Sequence, residues 1–310
     1  MSVLARLIGL VGVSAFFLFA GHASSIARAL GDPSASSDTK TPLDTVTIEA
    51  RRQLQKQVDH FVSSVVIQYL NDSLSRWDEP ICPLVAGLDR ERAEFILGRI
   101  SEVARTAGAR MASERCKIPN FYVIVTPEPD RLLKKWLARN PTIFDRNNGW
   151  GGIRRFLNSS DPIRYWYNKR FLNTDGTTAS TDAFTAGLEG LSLGEPVPVS
   201  KSVIGSRLSY SAVQGLSSVI VVVDSSRMVD LNIGQLADYV AMVGLAEVRV
   251  DANTGTAPTI LRLFDNTDNP PQGLSEWDRS LLSSLYSTRQ GSVMQVGAIK
   301  TTMLKQLESH

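Results

Sequence analysis

Between Glu49 and Asn71 the apolar residues Leu54, Val58, Phe61, Val62, Val65, Val66 and Tyr69 recur at three- and four-residue spacing, which places them on one helical stripe. His60 lies beside that stripe. Arg76 to Leu88 reads as a short strand. Asp89 is then placed to cap a helix whose inward face is Ala93, Ile96, Ile100, Val103 and Ala107, with Gly108 ending it. The β-rich run Phe121 to Thr126 follows, and Pro127 and Pro129 open a helix with Leu132, Leu133, Trp136 and Leu137 inward. Strand, helix, strand, helix is a βαβ pattern, whose crossover is expected to be right-handed.

Residues 140–200 are less regular. They hold a glycine-rich turn (NNGWGG), a basic-aromatic segment from Pro162 to Phe171, and a polar loop through Pro198. Two further β runs, Ser206 to Val213 and Ser217 to Asp224, flank Gly215 at a spacing that suggests a hairpin. Helical patterns close the chain at Ile233 to Val248, Ser275 to Thr288 and Ser292 to Leu307, the second with Ser275 and Asp278 in capping-box spacing. The fold class expected is α+β: a mixed sheet with a βαβ unit packed on helices, and a helical C-terminus. No internal repeat is visible.

The start of the chain changes where this domain is expected to work. Arg6 precedes an unbroken apolar run at residues 7–20, too short to span about 30 Å of hydrocarbon, and small-x-small patterns follow at Gly21–Ala23 and Ala27–Ala29. Residues 1–29 therefore read as a secretion signal, with an uncleaved anchor as the alternative. Residues 30–42, rich in Ser, Pro, Asp and Thr, read as a tether, and 43–310 as one domain. A periplasmic or secreted location follows, with no membrane span after cleavage. Loss of Arg6 and Arg28 lowers the 33 basic residues to the number of acidic ones, 31, which argues against a nucleic-acid partner. In an oxidising compartment the two cysteines, Cys82 and Cys116, favour a disulfide over two free buried thiols.

Candidate chemistry is sparse. A chain cut after Ala29 keeps only His60 and His310, so a histidine-rich metal site is impossible and a Ser-His-Asp triad would have to use His60. No P-loop, dinucleotide fingerprint or G-x-S-x-G occurs, and no cofactor is expected. Tyr165 and Lys169 have dehydrogenase-like Y-x-x-x-K spacing without the upstream glycine loop. Asp251, Asn253 and Gly255 resemble the start of a calcium loop that lacks its remaining ligands. Arg164, Tyr165, Trp166, Tyr167, Lys169 and Arg170 interleave cations with rings. That pattern makes Trp150, Arg164 and Trp166 candidates for binding an anionic or planar ligand, or simply amphipathic residues packing their rings. Carboxylates remain the freely available acid–base chemistry: Asp224, Asp238, Glu247, Asp251, Glu276 and Asp278.

The segment Ala237-Asp238-Tyr239-Val240-Ala241-Met242-Val243-Gly244-Leu245 stands in the frame in which zincin metallopeptidases carry H-E-x-x-H followed by Gly-Leu. With RWDEPI at Arg76 to Ile81, NFYVIV, TILRLF and LSEWDRSLLSSLY around it, the chain over about residues 74–290 resembles an exported proteobacterial domain family of unknown function with a zincin-like plan. In that frame the two histidines that would grip zinc are Ala237 and Ala241, and the general-base glutamate is Asp238. Alanine offers a metal no lone pair, so the resemblance implies a zincin-shaped protein without zinc or catalytic residues. Were the frame mistaken, both alanines would be core positions. The resulting expectation is a non-enzymatic domain that binds a cell-envelope protein or peptide; the alternative is a carboxylate-dependent envelope hydrolase with Asp238 as base.

Overall fold

The computed structural model describes residues 42–67, 74–113, 115–145, 149–173, 180–181, 198–199, 212–228, 231–265 and 269–309. By its internal contacts the chain divides into Met1–Thr45 and Val46–His310, and the elements below belong to the second unit apart from the first residues of α1. The signal and residues 30–41 of the tether lie outside the described residues, and the tether's last residue, Pro42, is the first of a helix.

The described elements run α1 (Pro42–Val65), β1 (Arg76–Trp77), β2 (Pro83–Ala86), α2 (Arg90–Ala107), β3 (Phe121–Thr126), α3 (Pro129–Arg139), α4 (Gly149–Leu157), β4 (Ile163–Asn173), β5 (Ser180–Thr181), β6 (Pro198–Val199), β7 (Ala212–Asp224), α5 (Ile233–Leu245), α6 (Glu276–Ser287) and α7 (Gln295–Glu308). Strand β7 organises a mixed five-stranded sheet. Along one edge it pairs in parallel first with β1, at Gly215–Leu216, and then with β3, at Val219–Asp224; β3 in turn pairs in parallel with β2. Along its other edge it pairs antiparallel with β4, with a bulge at Asn168/Lys169. β5 and β6 form a separate two-stranded pairing. The unit β2–α2–β3 is the expected βαβ.

Alternation along the strands sends side chains to two cores. Phe121, Val123, Val125, Tyr165, Tyr167, Val219, Val221 and Val223 face the main one, together with α1, α2, α5, α6 and α7. Ile220, Val222 and Trp166 face a smaller one closed by Leu133 of α3 and Ile153 and Phe156 of α4, with Phe144. Helices thus cover both faces of the sheet. α5 is buried almost all round, as its uniformly apolar sequence requires, and Asp238 is its single charged residue. Its end presses on the sheet so closely that a Cβ at Gly244 would stand 1.9 Å from the Phe121 ring.

Several expectations are corrected. The single strand over Arg76–Leu88 is two strands, β1 and β2, interrupted by Pro80, which has no amide hydrogen to give a ladder. The expected hairpin around Gly215 is one continuous strand, β7; its partner is β4, so the turn signal at Gly215 marks a close approach by the Asp78 carboxylate instead. From Gly149 on, the glycine-rich turn is the start of α4, and the basic-aromatic segment is β4. α1 begins at Pro42 rather than Glu49 and ends at Val65, because Val66 leaves the helix to bridge Val248. Tyr69 and residues 206–211 lie outside the described residues. Asp89 does cap α2, and Gly108 does end it in the left-handed region at φ 89°.

Cys82, just before β2, and Cys116, shortly before β3, form a disulfide across the α2 crossover, with Cα atoms 6.1 Å apart and a sequence separation of 34. Among the described residues no helix is long and apolar enough to cross a membrane.

Candidate functional site

The site is a cleft of about 680 Å³ between α2, α6, the segment Thr256–Arg262 and the segment Asn269–Ser275. Its floor is an ion pair. Arg99 of α2 reaches Asp238 of α5 through Nε to Oδ1 at 2.5 Å and Nη2 to Oδ2 at 3.2 Å, while its Nη1 donates to Glu102 at 2.8 Å. Hydrogen bonding to Asp238, opposed by burial, raises the guanidinium above its already high range. The Asp238 side chain is 7% exposed and that of Arg99 23%. Asp238 Oδ2 also accepts the Leu274 amide at 2.8 Å. A Cβ at Gly273 would stand 2.6 Å from that oxygen, so only glycine lets the chain pass so near.

Two further buried groups fix the wall. Gln235, in the capping box of α5, donates to the Pro271 carbonyl at 2.8 Å. Asp278 is fully buried and accepts from the Thr259 hydroxyl, the Ile260 amide, and the amide and hydroxyl of Ser275. Burial pushes its carboxyl up, against those donors. A shallower groove of about 470 Å³ continues from the floor between Phe95 and Gly98 of α2 and Gly234 of α5, sharing Arg99, Asp238 and Gln272 with the cleft. Phe95 is about half exposed and nothing lies near Gly98.

Only one of the residues singled out from sequence as candidate site residues, Asp238, lines this cleft. Ala237 and Ala241, at the two histidine positions of the zincin frame, are fully buried in the main core and so are core positions, while Asp238 is directed away from them to Arg99. Arg164 and Trp166 share the other face of the sheet. Arg164 is 8% exposed and joins Asp130 at 2.7 Å and the Leu157 carbonyl at 3.1 Å. The Trp166 ring is enclosed by Phe144 and Phe156 and its Nε1 donates to Asn168 at 2.8 Å. Trp150, on α4, is about half exposed. Tyr165 faces the main core, and Lys169 forms a buried ion pair with Glu247 at 2.9 Å. Asn253 accepts the Gly255 amide in a turn beside His60. Among the described residues no three His, Cys, Asp or Glu side chains stand together in a way that could hold a metal ion.

Sequence reasoning missed Arg99, Gln235, Arg262 and Arg279. Arg99 carried a signal: it stands three residues after Ile96 and four before Val103, so it borders the apolar stripe of α2, where a charge needs a partner.

No family model matches the chain, and no curated protein or solved structure matches it.

Proposed function

We propose that this is an exported, zincin-like domain that works by binding rather than catalysis, taking an extended segment of a cell-envelope protein or peptide in the cleft and groove around Arg99 and Asp238. The observation that carries the reading is the state of Asp238: it is tied to a guanidinium through both oxygens and to a backbone amide through one of them. A general base needs a free lone pair within reach of the proton it takes. Asp238 instead has the bonding of a structural strut. The mixed sheet with its antiparallel β4, the buried α5 and the helical end support the zincin-like plan. The disulfide and the apolar N-terminal run support export.

Display of a random heptapeptide library against the purified protein tests this. Binders are expected that are lost when Gly98→Trp fills the groove, and the folded state should survive, because Gly98 is an exposed helical glycine with open space around it. Selection of no peptide, or of peptides indifferent to Gly98→Trp in a folded protein, would contradict the reading.

A further inference from the structure

Arginines dominate the charge of the cleft. Among the described residues Arg99, Arg262 and Arg279 line it, and the one carboxylate that lines it there, Asp238, is already matched to Arg99. The other two arginines are held only loosely. Arg262 Nε lies 3.2 Å from Asp265, and Arg279 Nε lies 3.5 Å from Glu276; both acids are about half exposed and neither lines the cleft. Exposed pairs of this kind are worth little, so an incoming acid competes with them easily. A guanidinium carries five donors. Beyond these contacts Arg279 donates through Nη2 to the Leu274 carbonyl at 3.0 Å, and the remaining Nη donors of both residues have no partner among the described residues.

The surroundings suit a chain rather than a lone ion. Asn269 and Gln272 offer side-chain amides beside Pro258 and Pro271 in the cleft, and the groove beyond Arg99 adds the half-exposed Phe95 ring next to the bare Gly98. Building on the binding role proposed above, we infer that the ligand is a peptide bearing a carboxylate, which Arg262 and Arg279 grip at one end while an apolar side chain lies over Phe95 and Gly98 at the other. The carboxylate belongs to an acidic side chain or to the peptide's C-terminus. The Arg99–Asp238 pair between the two ends stays closed and serves as a fixed floor. Planar guanidinium edges match a carboxylate in a way a lysine does not.

The probes are heptapeptides selected on the wild-type protein, each remade with Glu→Gln or Asp→Asn changes and, separately, with an amidated C-terminus. Binding is measured by calorimetry to the wild type, Arg262→Gln, Arg279→Gln, Arg279→Lys and, as a control remote from the cleft, Arg131→Gln, with thermal unfolding to confirm that each is folded. The expected result is a loss on the order of tenfold or more for each cleft Arg→Gln change, a smaller loss for Arg279→Lys, and none for Arg131→Gln. Removing the peptide's carboxylate should cost the same, with little further loss in Arg279→Gln, and which of the two peptide changes does so identifies the carboxylate. Peptides that bind in a Gly98-sensitive manner but ignore both their own acid and the two arginines would overturn the inference and leave the binding function standing. An equal loss in Arg131→Gln would overturn it as general charge attraction. Competition by free glutarate as strong as by the whole peptide would overturn the peptide in favour of a small carboxylate. Failure to select any peptide would overturn the inference together with the reading beneath it.

Discussion

Asp238 and Asp278 are two buried carboxylates, and each holds walls of the same cleft in place. Asp238 joins α2, α5 and Leu274; Asp278 joins Thr259, Ile260 and Ser275. The two differ in what a change of pH does. Burial raises the Asp278 carboxyl above its ordinary value of 3.8, so the folded state holds this proton more tightly than the unfolded chain. The stability that this supplies is full below the unfolded value and is lost as pH rises through the folded one. The stability advantage of the wild type over Asp278→Asn is therefore expected to be largest near about pH 3 and to shrink as pH climbs toward neutrality. Urea denaturation of both proteins across that range measures it, and a gap that widens with pH would contradict the assignment.

At the scale of elements, local signals were legible where a helix has its own caps and stripe. Asp89 and Gly108 delimit α2, Ser275 and Asp278 form the capping box of α6, and β3 spans Phe121–Thr126 as expected. Pairing partners were not legible, because a strand's neighbour is set by contacts far along the chain. Gly215 looked like a turn between two strands, but β4, some fifty residues earlier, supplies a continuous partner that keeps β7 extended through it. The candidate site was hidden for the same reason. Asp238 was visible because it stands at the glutamate position of the zincin-like frame, whereas Arg99, its partner 139 residues away, becomes meaningful only once α2 lies on α5. The cationic β4 segment misled in the opposite sense: its alternation buries Trp166 on one face and Tyr165 and Tyr167 on the other. Lys169 shows how a cation is accommodated there, pairing with Glu247 with both side chains nearly fully buried. Lys169→Met is expected to cost about 3–5 kcal/mol by leaving Glu247 as a buried charge without its cation, while Lys169→Met with Glu247→Leu restores most of that loss. Equilibrium unfolding of the wild type, Lys169→Met, Glu247→Leu and the double variant forms the cycle; additive losses would contradict the pairing.

For the whole molecule, the disulfide and the cleft act on the same crossover. The Cys82–Cys116 bond encloses α2, the helix that carries Phe95, Gly98 and Arg99. Closing a loop of this length stabilises by about 3–4 kcal/mol in the chain-entropy account. Cys82→Ser with Cys116→Ser is expected to lose about that much in equilibrium unfolding. Because the bond constrains the ends of the crossover, peptide affinity should fall as well in a variant that remains folded at the assay temperature; unchanged affinity would place the disulfide's role in stability alone.

The central claim is that a ligand occupies this cleft and leaves it unchanged. It is tested most directly by mass spectrometry of a groove-selected peptide after overnight incubation with the protein at equimolar concentration. Recovery of the intact peptide in full is the predicted result. Cleavage of the peptide that disappears in Asp238→Asn would contradict it, making Asp238 a working base rather than a strut.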